Sequence, residues 1–566
     1  MVFGSTVTRR RRAFALALFY FAYLVGFLIL LFILNGHARD QGLEQSSWVL
    51  VALGLHFVAV TSIVVAAATC LRRGYRLVEL ADRAFPSNWV PGWLIHSQPR
   101  ARVLLVAAFC VLSVGLYARS VVGPWLSDDD LVLLSVNRTW DDVQANLWVS
   151  RAGQILPPVR LTTLVLVRAA DCPSCIARAF ALHGVAFLLL VALLLYTFVR
   201  RELGEFYGLA AMAFFAVSST YHEAIWRFTA SLVLPATAIT LVALLAAQRW
   251  RQRGRNRDLA ACMLWCAIAP LWFASGVFAA PLCSLYLCAP QHPQDRLLGG
   301  WTRRRLLTTA LPIVSASWFV IVSLLVASQN QDPFDPLSGL AWTVRSVVDN
   351  LVPGFTGLTA MFGLALPWPI SFAAFGALAA AAVWWWRRAP AKGLLLVGLG
   401  AIFLGYWVVY SARAMHGYQR MTGLDWSRYH LLPQLGLTLF LAGGLPHWRD
   451  LLGIPRDGAL VRQNVRWLLV GVVLLFMLQA PRPVLSLWSL GTSDKQMATL
   501  RRVEVFNRVC REQNISAATA REALQDHLLI EGFSNPAHAW LFLRCSETPR
   551  AWSVDEARAQ LLAGQG

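Results

Sequence analysis

Three consecutive acids, Asp128-Asp129-Asp130, stand just past an apolar segment that runs from Val103 to Ala118. An aspartate at the centre of a bilayer costs roughly 2.5–3.5 kcal/mol, so the trio belongs at a membrane–water boundary or in a wet cavity. A carboxylate there can take a proton from a hydroxyl, and the crowding of like charges favours proton uptake by one member. On a helix, neighbouring side chains point about 100° apart, so one or two of the three face a common ligand, with Asp128 or Asp129 the first choices. The plainer alternative is a polar run that ends a membrane helix. Asp141-Asp142, beside Trp140, reads more simply as a helix cap or a solvated face.

Composition sets the class of element that must hold these acids. Of 566 residues, 57% are hydrophobic and only 14% charged, with 24 Trp and a mean hydropathy of +0.54. Those values describe an all-α polytopic membrane protein. The formal charge of +20 could suggest nucleic acid, but the basic residues gather in short loops between apolar stretches, at Arg9 to Arg12, Arg72, Arg73, Arg200, Arg201, Arg249 through Arg257, Arg303 to Arg305, Arg387 and Arg388. That is the bias of loops facing the cytoplasm, and it removes nucleic acid as a partner.

Stretches long enough to span, or nearly so, run about 13–35, 48–71, 103–119, 180–199, 207–221, 230–247, 259–274, 276–289, 306–327, 358–386, 393–412, 430–446 and 467–480. At ~20 residues per crossing they predict about 13 transmembrane helices. With the N-terminus inside, an N-terminal hairpin and cytoplasmic loop occupy 1–102, and a transmembrane core occupies 103–480, with an outer loop at 119–179. A helix-patterned outer tail fills 481–566. The host membrane reads as a bacterial inner membrane, with the tail periplasmic. Cys172, Cys175, Cys510 and Cys545 fall on the outer side, where disulfides Cys172–Cys175 and Cys510–Cys545 are allowed; a redox or metal role for Cys172-Pro-Ser-Cys175 is the rival reading.

The first outer loop follows its acids with Gly153-x-x-x-Pro157-Pro158-Val159-Arg160. Residues 214–232, FFAVSSTYHEAIWRFTASL, carry His222-Glu223 and Trp226-Arg227, and Arg428-Tyr429-His430-Leu-Leu-Pro433 opens a late span. In order and shared sidedness these elements resemble GT-C-fold membrane glycosyltransferases, in particular the protein-O-mannosyltransferase-like group and its transmembrane-and-tetratricopeptide relatives. The 34-residue repeats of those relatives are absent, and Ser219 stands where they usually carry proline.

That resemblance implies a GT-C-like core with amphipathic helices in the first outer loop. It also implies transfer of a sugar from a polyprenyl-phosphate donor at the outer membrane face, with inversion. A loop-one acid, among Asp128, Asp129 and Asp130, would deprotonate the saccharide, lipid or protein acceptor. Arg160, Arg227, Arg420 and Arg428 are the candidates for the donor phosphate, because a guanidinium fork binds phosphate oxygens and stays charged near lipid. Each could equally reach to lipid headgroups. His222, Glu223, Tyr429 and His430 are candidate substrate contacts, with a polar corner closing a turn as the alternative for the first two. A divalent cation on Asp129 and Glu223 would suit hard oxygen ligands, although nothing in the sequence requires it. Two other classes fit a polytopic chain: a transporter or flippase of a lipid-linked saccharide, and a non-catalytic subunit on a GT-C-like scaffold.

Overall fold

The computed structural model describes residues 46–73, 98–117, 126–149, 155–170, 172–218, 220–290, 303–326, 334–348, 368–388, 391–413, 428–448, 462–480, 491–524 and 549–563, with scattered positions besides. The regular elements among them are all helical. In chain order they are α1 (Ser46–Arg73), α2 (Gln98–Leu116), α3 (Asp128–Ser135), α4 (Trp140–Asn146), α5 (Pro157–Ala169), α6 (Pro173–Leu203) and α7 (Glu205–Ala216). Next come α8 (Glu223–Trp226), α9 (Phe228–Ser231), α10 (Val233–Arg253), α11 (Asn256–Ile268), α12 (Ala279–Cys288), α13 (Arg303–Val326) and α14 (Pro336–Ser346). The series closes with α15 (Trp368–Arg388), α16 (Lys392–Ser411), α17 (Leu431–Gly444), α18 (Arg462–Gln479), α19 (Gly491–Glu512), α20 (Ala517–Leu524) and α21 (Val554–Ala563).

Among the described residues, three helices are long and apolar enough to cross a membrane: Pro173–Leu203, Phe228–Arg253 and Lys392–Ser411. Shorter apolar helices cover Leu53–Thr69, Arg102–Leu116, Glu205–Ala216, Ala274–Cys288, Leu306–Val322 and Asn464–Gln479. The stretch predicted at 13–35 lies largely outside the described residues, and of the one predicted at 358–386 the part from 368 on is described, as α15.

Turn chemistry sets the helix ends. Pro157 and Pro173 occupy first helical positions, where proline loses nothing by lacking an N–H. Gly254, at φ +67°, closes α10 in the left-handed conformation that favours glycine. The large apolar core joins α2, α6, α7, α10, α12, α16, α17 and α18. Within it α16 crosses α17 closely: a Cβ built on Gly436 would lie 2.5 Å from the Gly398 carbonyl oxygen. Small residues permit such backbone approach between helices without a polar contact.

A second core forms where α6 begins. Leu131, Leu133 and Leu134 of α3, Val159 and Val167 of α5, Phe180 of α6 and Phe228 of α9 share it with Leu500, Val503 and Phe506 of α19 and Leu561 of α21. The first loop and the tail are therefore one packed unit. The opposite end of α6 is held by charge: Glu205 pairs with the Arg102 guanidinium, Nε at 2.8 Å, and with that of Arg200, Nε at 3.0 Å.

Candidate functional site

The site gathers where α3, the α7–α9 connection and the start of α17 meet. Two anchors bring α3 into place. Gln496 of α19 brackets Leu126, its Oε1 accepting from the backbone N–H at 2.7 Å and its Nε2 donating to the carbonyl at 3.0 Å. Ser127 then caps α3: its Oγ accepts from the Asp130 N–H, while Asp130 Oδ2 accepts from the Ser127 N–H at 2.9 Å. This reciprocal pair satisfies donors that a helix start leaves open.

Asp130 is thereby removed from the list of catalytic candidates. Its side chain is fully buried, and its second oxygen accepts from the Thr229 N–H at 2.7 Å, tying α3 to α9. A fully buried carboxylate that takes two backbone donors is a structural clamp between α3 and α9. The signal was present in the sequence as Ser127-x-x-Asp130, the spacing of a capping box. Thr139-x-x-Asp142 repeats it at α4, where hydrogen bonds from Thr139 hold the Asp142 carboxyl below its ordinary range.

Asp129 stands apart from its neighbour. Its side chain is 56% exposed, and its Oδ2 lies 2.5 Å from Arg227 Nη2. The Asp128 side chain lies outside the described residues.

Arg227 is the hub. Its Nη1 donates to Glu223 Oε1 at 3.0 Å, its Nε to Ser127 Oγ at 2.8 Å, and its Nη2 to Asp129. Glu223, fully buried, takes a second guanidinium on the same oxygen, Arg428 Nη1 at 2.6 Å, and the Arg428 backbone N–H on the other at 3.1 Å. Burial pushes the Glu223 carboxyl above its ordinary range, against the pull of Arg428 and Arg227. Burial also works against charge on Arg428, but Glu223, Tyr429 and Asp129 more than offset it and hold the guanidinium above its usual value. The four side chains form a chain of alternating sign, Arg428, Glu223, Arg227, Asp129, buried at Glu223 and open to the surface at Asp129. Each arginine keeps about one seventh of its side chain accessible.

Close packing permits this geometry. A Cβ built on Gly184 of α6 would sit 2.5 Å from the carbonyl oxygen of Ile225, so only glycine lets α8 and Glu223 approach. Tyr117 Oη donates to the Ser218 carbonyl at 2.9 Å, pinning the end of α2 to the same turn. At α17, the Arg428 guanidinium lies over the Tyr429 ring, 4.9 Å from its centroid. His430 Nδ1 meets Tyr406 Oη at 2.9 Å on an edge-to-face contact.

Other candidates sit elsewhere. Arg160 is buried, donating to the Val149 carbonyl at 2.9 Å and to Asn137 Oδ1 at 3.4 Å, which closes the first loop and does not present a cation to ligand. Asn137 of the sequon Asn137-Arg-Thr is buried as well. His222 and His430 are each 1% exposed, within the interior. Arg420 lies outside the described residues. The cation between Asp129 and Glu223 is the Arg227 guanidinium, which occupies the position suggested for a divalent ion. Ser127, Gln496 and Tyr406 also belong to the site; the first is legible in the sequence as a cap, while the other two depend on contacts distant in sequence.

Compared with known proteins, the chain matches no family model and no curated sequence.

Proposed function

We propose that this protein is a GT-C-like membrane glycosyltransferase, moving a sugar from a polyprenyl-phosphate donor to an acceptor at the outer membrane face. The observation that carries the reading is the convergence of Arg227 and Arg428 on one buried carboxylate, directly beside an exposed one. Two guanidiniums held side by side suit a phosphodiester that must gain charge as it leaves. An exposed carboxylate next to them suits the proton of an acceptor hydroxyl.

In this account the donor phosphate takes the Arg227 Nη2 position that Asp129 holds. Asp129 is released, accepts the acceptor proton, and the acceptor oxygen bonds to the anomeric carbon. The bond from that carbon to the phosphate oxygen breaks, its electron pair leaves with polyprenyl phosphate, and Arg227 and Arg428 hold the new charge. Attack opposite the leaving group inverts the anomeric centre. Glu223 is a positioning residue: it fixes both guanidiniums and never meets the sugar. The thirteen predicted spans and the periplasmic placement of the tail belong to the same proposal, supported by the apolar helices and by the basic loops at the Arg200 end of α6.

The experiment is transfer from polyprenyl-phosphate sugars in membranes containing Asp128→Asn/Asp129→Asn at wild-type protein level. Loss of transfer is expected; full activity would overturn the assignment.

A further inference from the structure

Cys172 and Cys175 are joined in a disulfide across the first turn of α6. Cys172 is the residue that caps this 31-residue helix, and its Sγ accepts the Cys175 N–H at 3.1 Å, with Ser174 Oγ at 3.3 Å. Glu504 of α19 takes the Ser174 N–H at 2.9 Å, leaving the Cys175 amide to the sulfur. Both cysteines are half-buried, each keeping part of its surface open.

A cross-link between residues three apart restrains the unfolded chain weakly. The loop-closure relation gives about 2 kcal/mol for it, against about 4 kcal/mol for the loop closed by Cys510–Cys545. Its placement does more for chemistry than for stability. A sulfur at a helix N-terminus, facing a backbone N–H, is held as thiolate once the bond opens. Stabilising the reduced form makes the disulfide a stronger oxidant. Cys510, in contrast, is fully buried near the C-terminal end of α19.

We propose that Cys172–Cys175 is a thiol–disulfide exchange site that accepts two electrons from a dithiol on another protein. A thiolate of that dithiol attacks Cys172 Sγ; the Cys172–Cys175 bond breaks, and its electron pair leaves on Cys175, which takes up a proton. The partner's second thiolate then attacks its own sulfur in the mixed disulfide and releases Cys172 as the thiolate held by the Cys175 N–H. The partner ends as a disulfide and this chain as a dithiol, so the bond present in the fold is itself the oxidant. The site is separate from the Arg227–Glu223–Arg428 cluster, and its activity does not depend on sugar transfer.

The test uses the purified full-length protein in glutathione buffers of graded ratio, with alkylation and peptide mass analysis of both disulfides. Cys172–Cys175 should be half-reduced at a ratio of squared glutathione to glutathione disulfide at least tenfold lower than Cys510–Cys545, with the protein still folded. Reduction of the two bonds together, or opening of Cys172–Cys175 only on unfolding, would overturn the proposal. A second measurement compares single-cysteine variants at pH 7. The Cys172 thiol in Cys175→Ser should be alkylated by iodoacetamide at least tenfold faster than the Cys175 thiol in Cys172→Ser; equal rates would contradict a helix-held thiolate.

Discussion

Glu223 and Arg428 are 205 residues apart in sequence, yet Arg428 Nη1 donates to Glu223 Oε1 at 2.6 Å in a fully buried contact on the carboxylate side. The same oxygen receives Arg227 from one turn further along the chain. Removing Glu223 leaves two guanidiniums facing one another with no anion between them. Glu223→Gln should lower stability by roughly 3–5 kcal/mol, the usual cost of breaking one partner from a buried ionic network. Thermal unfolding of the purified protein checks it, and an unchanged midpoint would show that the network is not under tension from burial.

The adjacent acids separate by function. Asp129→Asn should reduce transfer by about 10²–10⁴-fold with little change in unfolding midpoint, as expected for loss of a general base on an exposed side chain. Asp130→Ala should instead destabilise, by about 1–3 kcal/mol for each of the two backbone donors it leaves unmatched at Ser127 and Thr229. Paired rate and stability measurements on both variants distinguish the two; the reverse pattern would interchange their assignments.

Acid and base limbs of stability have different owners. Thr139 holds the Asp142 carboxyl down and Ser338 does the same for Asp335, so both stabilise the fold above the ordinary carboxylate range and lose that contribution as pH falls through their lowered values. Glu223 is shifted up by burial, so the folded state binds its proton more tightly than the unfolded one, and its contribution declines as pH rises through the raised value. Denaturant titrations across pH should show Asp142→Asn flattening the acid limb and Glu223→Gln flattening the decline above it. Parallel profiles for either variant and the wild type would contradict the corresponding shift.

Two supports lie outside the charged cluster. Gly184→Ala forces α8 away from α6, and such overpacking costs about 1–3 kcal/mol, with Glu223 displaced in consequence. Gln496→Ala removes both hydrogen bonds that hold Leu126, so α3 loses its anchor to the tail. Each should weaken transfer without contacting substrate, seen as a fall in rate accompanied by a lower unfolding midpoint. Full activity with a lowered midpoint would separate these supports from the site.

What could be read from the chain was local. Helical class, apolar stretches and the pairing of residues three apart, Ser127 with Asp130 and Thr139 with Asp142, all follow from neighbours. The acid run drew attention as a set, which hid the capping spacing inside it. Glu223 looked like a polar corner because its partners include a residue 205 positions away, and no periodicity carries that distance. Arg160 and Arg227 were indistinguishable as sequence, both arginines near an interface. Burial against Val149 and Asn137 directed one to structure, and Ser127, Glu223 and Asp129 drew the other to the surface.

Binding of polyprenyl phosphate probes the two-guanidinium seat by itself, since it needs neither the sugar nor the acceptor to be known. Asp129 competes with the donor phosphate for Arg227, so Asp129→Asn should bind polyprenyl phosphate more tightly than wild type while losing transfer. Arg428→Gln should weaken binding by at least tenfold, about 1.4 kcal/mol. Weaker binding by Asp129→Asn, or unchanged binding by Arg428→Gln, would contradict a phosphate seat built from the two guanidiniums.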